Sequence, residues 1–225
     1  MKKLLLAGAA LALSAALAAP AAAQVNGIGV SDPAIVVASS SALQAAYGQI
    51  NTTFAAQRTQ LDQQQQQLTT LLRPFDTDGN GQLDDSERTA LQGNATVAQQ
   101  AQTLEQTIST TQQPITAARV YAIEQIAQQL NPAVQQVVSS KGVSVILSPQ
   151  AVVYVAEAAD LTDEIVAALN TLAPAVSTAV PQGWQPQRSS VELYQQVQQL
   201  LLQAAIQQAQ SQAAQQPAPA AQSGR

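Results

Sequence analysis

A heptad seam constrains this chain more than any other feature. Leu43, Tyr47, Ile50, Phe54, Gln57, Leu61, Gln64, Leu68, Leu71 and Phe75 follow one another in alternating steps of four and three. That rhythm puts all of them on one stripe of a helix. The seam is weakest in the middle, where Gln57 and Gln64 interrupt it and Gln63 to Gln67 are polar all round. Pro74 marks the helix end. So long a helix with one narrow apolar face needs a partner.

The partner follows Gly93. Val97, Ala101, Leu104, Ile108, Thr111 and Ile115 repeat the same steps, and Ile123, Ile126, Leu130, Val134 and Val137 continue them. Between Ile115 and Ile123 the step becomes four plus four, a stutter that locally unwinds a coiled coil. Pro114 and Pro132 are expected to bend or break the returning helix. The pattern predicts two long antiparallel helices forming an arm.

The flanks have a different period. Val25 to Val37 reads as a strand, a break at Asp32-Pro33 and a second short strand, and Ser39 to Ser41 offer helix caps. Lys141-Gly142 closes the returning helix. Val143, Val145 and Leu147 then alternate, Ser148-Pro149-Gln150 turns, and Val152 to Val155 resumes as a strand. Asp160 to Glu164 opens a short helix ending at Asn170. The predicted fold is mainly α, a long helical hairpin on a small β-rich oligomerisation base.

The ends bound the compartment. Lys2 and Lys3, the apolar run Leu4 to Ala19 and the small residues Ala21 to Ala23 read as a secretory signal peptide, cleaved near Ala23. Export leaves seven basic residues against 14 acidic, because Lys2 and Lys3 depart from an original nine. No basic stripe or aromatic cluster suggests nucleic acid. The chain has neither Cys nor His, so disulfides, thiol catalysis, Cys/His zinc sites and an imidazole base are excluded. No catalytic residue is expected, and the chain reads as a non-enzyme. Beyond the hairpin lie a Pro-rich linker at 171–188 with Trp184, expected to pack rather than recognise, a helix at 189–216, and a low-complexity tail at 217–225 expected to be disordered.

Ile28-Gly29-Val30, the helical hairpin, Lys141-Gly142-Val143, Val145-Ile146-Leu147, Val153-Tyr154-Val155 and Asp160-Leu161-Thr162-Asp163-Glu164-Ile165 through Leu169-Asn170 together resemble the OmpH/Skp family of periplasmic chaperones. The resemblance covers about residues 25 to 170. It implies body segments at 24–40 and 141–170, an arm at 41–140, and a homotrimer whose arms hold unfolded outer-membrane proteins. It leaves open an association with the outer membrane. Two features depart from the resemblance: the arm carries arginines but no lysine, and the linker and last helix extend beyond it.

Asp76-Thr77-Asp78-Gly79-Asn80-Gly81-Gln82-Leu83-Asp84-Asp85-Ser86-Glu87 fits the EF-hand calcium loop. Asp76, Asp78 and Asn80 stand at positions one, three and five, and Gly81 permits the turn at six. Gln82 offers its carbonyl at seven, Asp84 stands at nine and Glu87 at twelve. Calcium is the expected ion, with an affinity of about 10⁻⁴ to 10⁻³ M. The alternative is an ion-free acidic turn. At the level of function, the sequence supports a periplasmic holdase with calcium at the arm tip. Its alternative is a calcium-stabilised structural or adhesion protein of the envelope.

Overall fold

The computed structural model describes residues 27–215. The expected signal peptide and the tail expected to be disordered lie outside them. The elements run β1 (Ile28–Val30), α1 (Pro33–Ser39), α2 (Ser41–Thr53), α3 (Ala55–Leu72), α4 (Asp85–Gly93), α5 (Ala95–Lys141), β2 (Val145–Leu147), α6 (Thr162–Leu172) and α7 (Arg188–Gln215). The described chain is therefore mostly helical, with few strands.

The axis is α5, 47 residues and about 70 Å long at 1.5 Å per residue. Pro114 and Pro132 lie inside it, and the break expected as one outcome occurs at neither. Neighbouring elements hold the helix on both sides of each proline: α3 packs along the first half, and α2, α6 and α7 along the rest. The helix ends at Gly142, whose φ of +67° suits a residue without Cβ.

Seam residues behave as their spacing predicts. Leu43, Ile50, Leu61 and Gln64 are buried, and Tyr47, Phe54, Gln57, Leu68, Leu71 and Phe75 are half-buried. Gln64 donates to Thr111 Oγ1 at 3.4 Å, while Leu71 lines a cavity with Leu104. Residue numbers thus rise along α3 as they fall along α5. The seam is not one helix, because Phe54 (φ −103°, ψ 22°) interrupts it between α2 and α3. Phe54 shares a cavity with Pro114, so the interruption between α2 and α3 and the first proline of α5 lie at one level.

Two readings of β-structure are corrected. Residues 33–39 form α1, because Asp32 caps it by accepting from Ala34 N at 2.8 Å and Pro33 presets the first turn. Val152 to Val155 is not a strand; Val153 and Tyr154 stand in solvent with no strand beside them. What remains is a parallel pair, Ile28 opposite Val145 and Val30 opposite Leu147, each strand three residues long.

Helices build the main core. Val36, Val37 and Leu43 meet Ile123, Ile126 and Val137 of α5, Leu161, Ile165 and Leu169 around α6, and Val197 of α7. α5 is buried on nearly every side between Ala118 and Ile126, as a helix enclosed by others must be. A smaller cluster of Ile50, Leu61, Ile115 and Ala118 lies further out. Among the described residues no helix is long and apolar enough to cross a membrane.

Candidate metal centre

The loop between α3 and α4 is organised by its own acids. Asp76 Oδ2 accepts from Gly81 N at 2.9 Å, Asp78 Oδ1 from Asn80 N at 3.0 Å, and Asn80 Oδ1 from Gln82 N at 2.7 Å. These contacts curl the backbone around the carboxylates. Gly79 and Gly81, at φ +72° and +80°, allow the curl. Asp84 caps α4, its Oδ1 accepting from Ser86 N and Glu87 N at 2.8 and 2.9 Å.

Glu87 closes the loop. Its Oε1 accepts from Thr77 N at 2.6 Å and from Thr77 Oγ1 at 2.7 Å, and its Oε2 from Asp84 N at 3.0 Å. The Thr77 hydroxyl, with the Asp84 and Thr77 N–H groups, holds the Glu87 carboxyl below its ordinary range. The Glu87 N–H and the Ser86 hydroxyl do the same for Asp84. Both side chains therefore stay charged near neutral pH.

Of the sequence-predicted ligands, Asp76, Asp78 and Glu87 each place an oxygen within 4.8 Å of the others. Asp84 is outside that group and occupied as a cap. Asn80 is turned to Gln82 N and also donates to Asp78 Oδ2 at 2.6 Å. Asp76 Oδ1 is buried with no hydrogen-bond partner. A buried carboxylate oxygen without a donor, on a residue clustered with two other acids, is costly alone and suits a hard cation. The donor set, all oxygen, fits calcium. Bidentate ligation by Glu87 would require it to give up its hold on Thr77.

Sequence reasoning missed a second polar constellation, around Glu124 of α5. Glu124 is 7% exposed, in the middle of the core stripe. Its Oε1 accepts from Trp184 Nε1 and its Oε2 from Gln187 N, both at 3.1 Å. Burial pushes its carboxyl up, but the hydrogen bonds from Gln187 N, Trp184 and Ser190 outweigh this and hold it below the ordinary range. An acid between Ile123 and Ile126 was the available signal. Trp184 also meets Tyr121 edge-on, ring centres 5.3 Å apart, so the expectation that it packs was sound.

A mostly helical protein with a small parallel strand pair and an acidic loop suited to a hard cation is the class defined so far. The profile of the family described as outer membrane protein (OmpH-like) matches residues 27–169, from β1 into α6. That span is well over half of the chain, which belongs to the OmpH family. A crystal structure from Caulobacter crescentus CB15, described as OmpH-like and as a candidate outer membrane chaperone, is similar. It shares 25% identity over 72% of this chain and 90% of that one, with a TM-score of 0.40. No curated protein matches the chain.

Proposed function

We propose that this chain is a periplasmic chaperone that holds unfolded outer-membrane proteins, without a catalytic step. Membership of the OmpH family over residues 27–169 carries the reading. In it, residues 1–23 direct export and are removed, 24–170 form the chaperone domain, and 171–188 link it to the C-terminal helix at 189–216. α2, α3 and α5 act as an antiparallel arm, and the segments at 24–40 and 141–170 as the oligomerisation base. Ile28, Val145, Val153 and Tyr154 support an oligomer, proposed to be a trimer, because all four are exposed apolar residues in the strand pair or just after it. An unpaired strand edge with apolar side chains is a template for another chain.

Calcium binding at Asp76, Asp78, Asn80, Gln82, Asp84 and Glu87 belongs to the same proposal. It is supported by the loop pattern and by the unpartnered Asp76 Oδ1. The loop would sit at the outer end of the arm, where an ion would fix the angle between α3 and α4.

The test is light scattering as an unfolded outer-membrane β-barrel is diluted into the mature protein, with calcium and then with chelator. Suppression of aggregation in both is expected if the ion is structural, and in one alone if it switches the arm. No suppression in either would overturn the chaperone reading and favour a structural envelope protein.

A further inference from the structure

Residues 173–187 form no helix or strand, lie beyond the family match, and are nonetheless held along α5. Two kinds of contact hold them. Gln125 exchanges a pair of hydrogen bonds with the main chain of Ser177: its Nε2 donates to Ser177 O at 2.8 Å, and its Oε1 accepts from Ser177 N at 3.1 Å. One residue further back, Glu124 accepts from the Gln187 main chain and the Trp184 indole. Side-chain amides and carboxylates that engage main-chain groups can engage any polypeptide, because every residue except proline offers the same donor and acceptor.

The apolar contacts are spaced. Val176 packs on the main core, Val180 on the outer cluster and Trp184 on Tyr121. Gly183, at φ +78°, makes the turn in which Trp184 N donates to Pro181 O at 3.1 Å. The fit is loose. Val180 lies between two cavities of about 630 and 700 Å³, lined on one side by Phe54 and Pro114 and on the other by Val120 and Tyr194. The helices on either side of the segment are anchored independently of it, α6 by Leu169 and α7 by Val197, both fully buried. It can therefore lift without unfolding the body.

We propose that the α5 face of Tyr121, Glu124 and Gln125 is a polypeptide-binding site, occupied in the resting chain by its own residues 173–187 and opened when an unfolded segment displaces them. Only the identity of the incoming chain rests on the chaperone reading. Aromatic-bearing segments of outer-membrane strands would suit the Trp184 position.

The protein reports on itself, since Trp184 is its one tryptophan. The mature full-length chain is titrated with a synthetic peptide of residues 174–188 carrying Phe in place of Trp184, and Trp184 emission is followed. A saturable shift to longer wavelength is expected. Glu124→Ala should lower the peptide concentration required by about tenfold, the effect of losing a charge-assisted hydrogen bond. Because the chain has no native cysteine, Ala117→Cys with Val180→Cys, two positions lining one cavity, can lock the segment by a disulfide or a short bismaleimide. The locked form should lose the shift, and reduction of the disulfide should restore it. No shift in the unlocked protein, or an equal shift in the locked one, overturns the proposal. These readouts do not involve aggregation. Displacement without suppression of client aggregation would sink the chaperone reading alone, and suppression with a silent Trp184 would sink this inference alone.

Discussion

Glu87 Oε1 lies 2.6 Å from Thr77 N, so the last residue of the acidic loop grips the second. The carboxylate that would complete a calcium cage also keeps the loop closed. Asp76 is different, because its Oδ1 has no partner to lose. Calorimetric titration should therefore give calcium binding in the range of about 10⁻⁴ to 10⁻³ M, abolished by Asp76→Asn with little cost to folding. Glu87→Gln should abolish it too and loosen α4, seen as faster amide exchange over 85–93. Equal titrations of the parent and Asp76→Asn would remove the site.

The tie between Glu124 and Trp184 has a defined acid limit. Its folded pKa lies below the ordinary glutamate value of 4.5, so its contribution is complete above that value and is lost as pH falls through the lowered one. Trp184 emission should stay constant from neutral pH down to about 4.5 and shift only below it. Glu124→Gln should show altered emission at neutral pH. A transition above 4.5 in the parent would mean the hydrogen bonds do not favour the charged form.

Burial and charge should contribute unequally where α5 meets α6. Ile126 is fully buried, and Ile126→Ala should cost about 2–5 kcal/mol, through lost transfer energy and the cavity left behind. Lys141 approaches Glu164 at 2.6 Å, but both side chains are more than a third exposed. Lys141→Ala should cost no more than about 1 kcal/mol. Urea unfolding midpoints of the two variants check the order.

The seams were legible because burial repeats with the helix, and every seam residue from Leu43 to Phe75 is at least half-buried. The break at Phe54 was not, since an apolar residue in register carries no sign of an interruption. A break at Pro114 was the other reading that failed: a proline can break an isolated helix, but packing from α2 and α3 holds this one through it. Ile35, Val36 and Val37 suggested a strand by composition, and Asp32-Pro33 decided for a helix by capping. The curl of the acidic loop was readable because its hydrogen bonds are local, although of the expected acidic ligands only Asp76, Asp78 and Glu87 converge. The Glu124 constellation joins residues about 60 positions apart, which no local pattern announces.

Gly29 carries the last prediction. It sits in β1 opposite Ile146, and a Cβ there would collide with Leu161 Cδ1 and lie 3.1 Å from its Cγ. Leu161 is 2% exposed and embedded in the main core, so its side chain has nowhere to swing. It is also fixed through its backbone, with N donating to Val30 O at 2.9 Å. Gly29→Ala must therefore push β1 away from α6 or force Leu161 off its rotamer, at about 1–3 kcal/mol. The double variant Gly29→Ala with Leu161→Val should recover part of that loss, because shortening the leucine removes the colliding atom. A thermal unfolding series of parent, single and double variants decides it. If Gly29→Ala alone unfolds with the parent, the close approach of strand and leucine does not constrain this position.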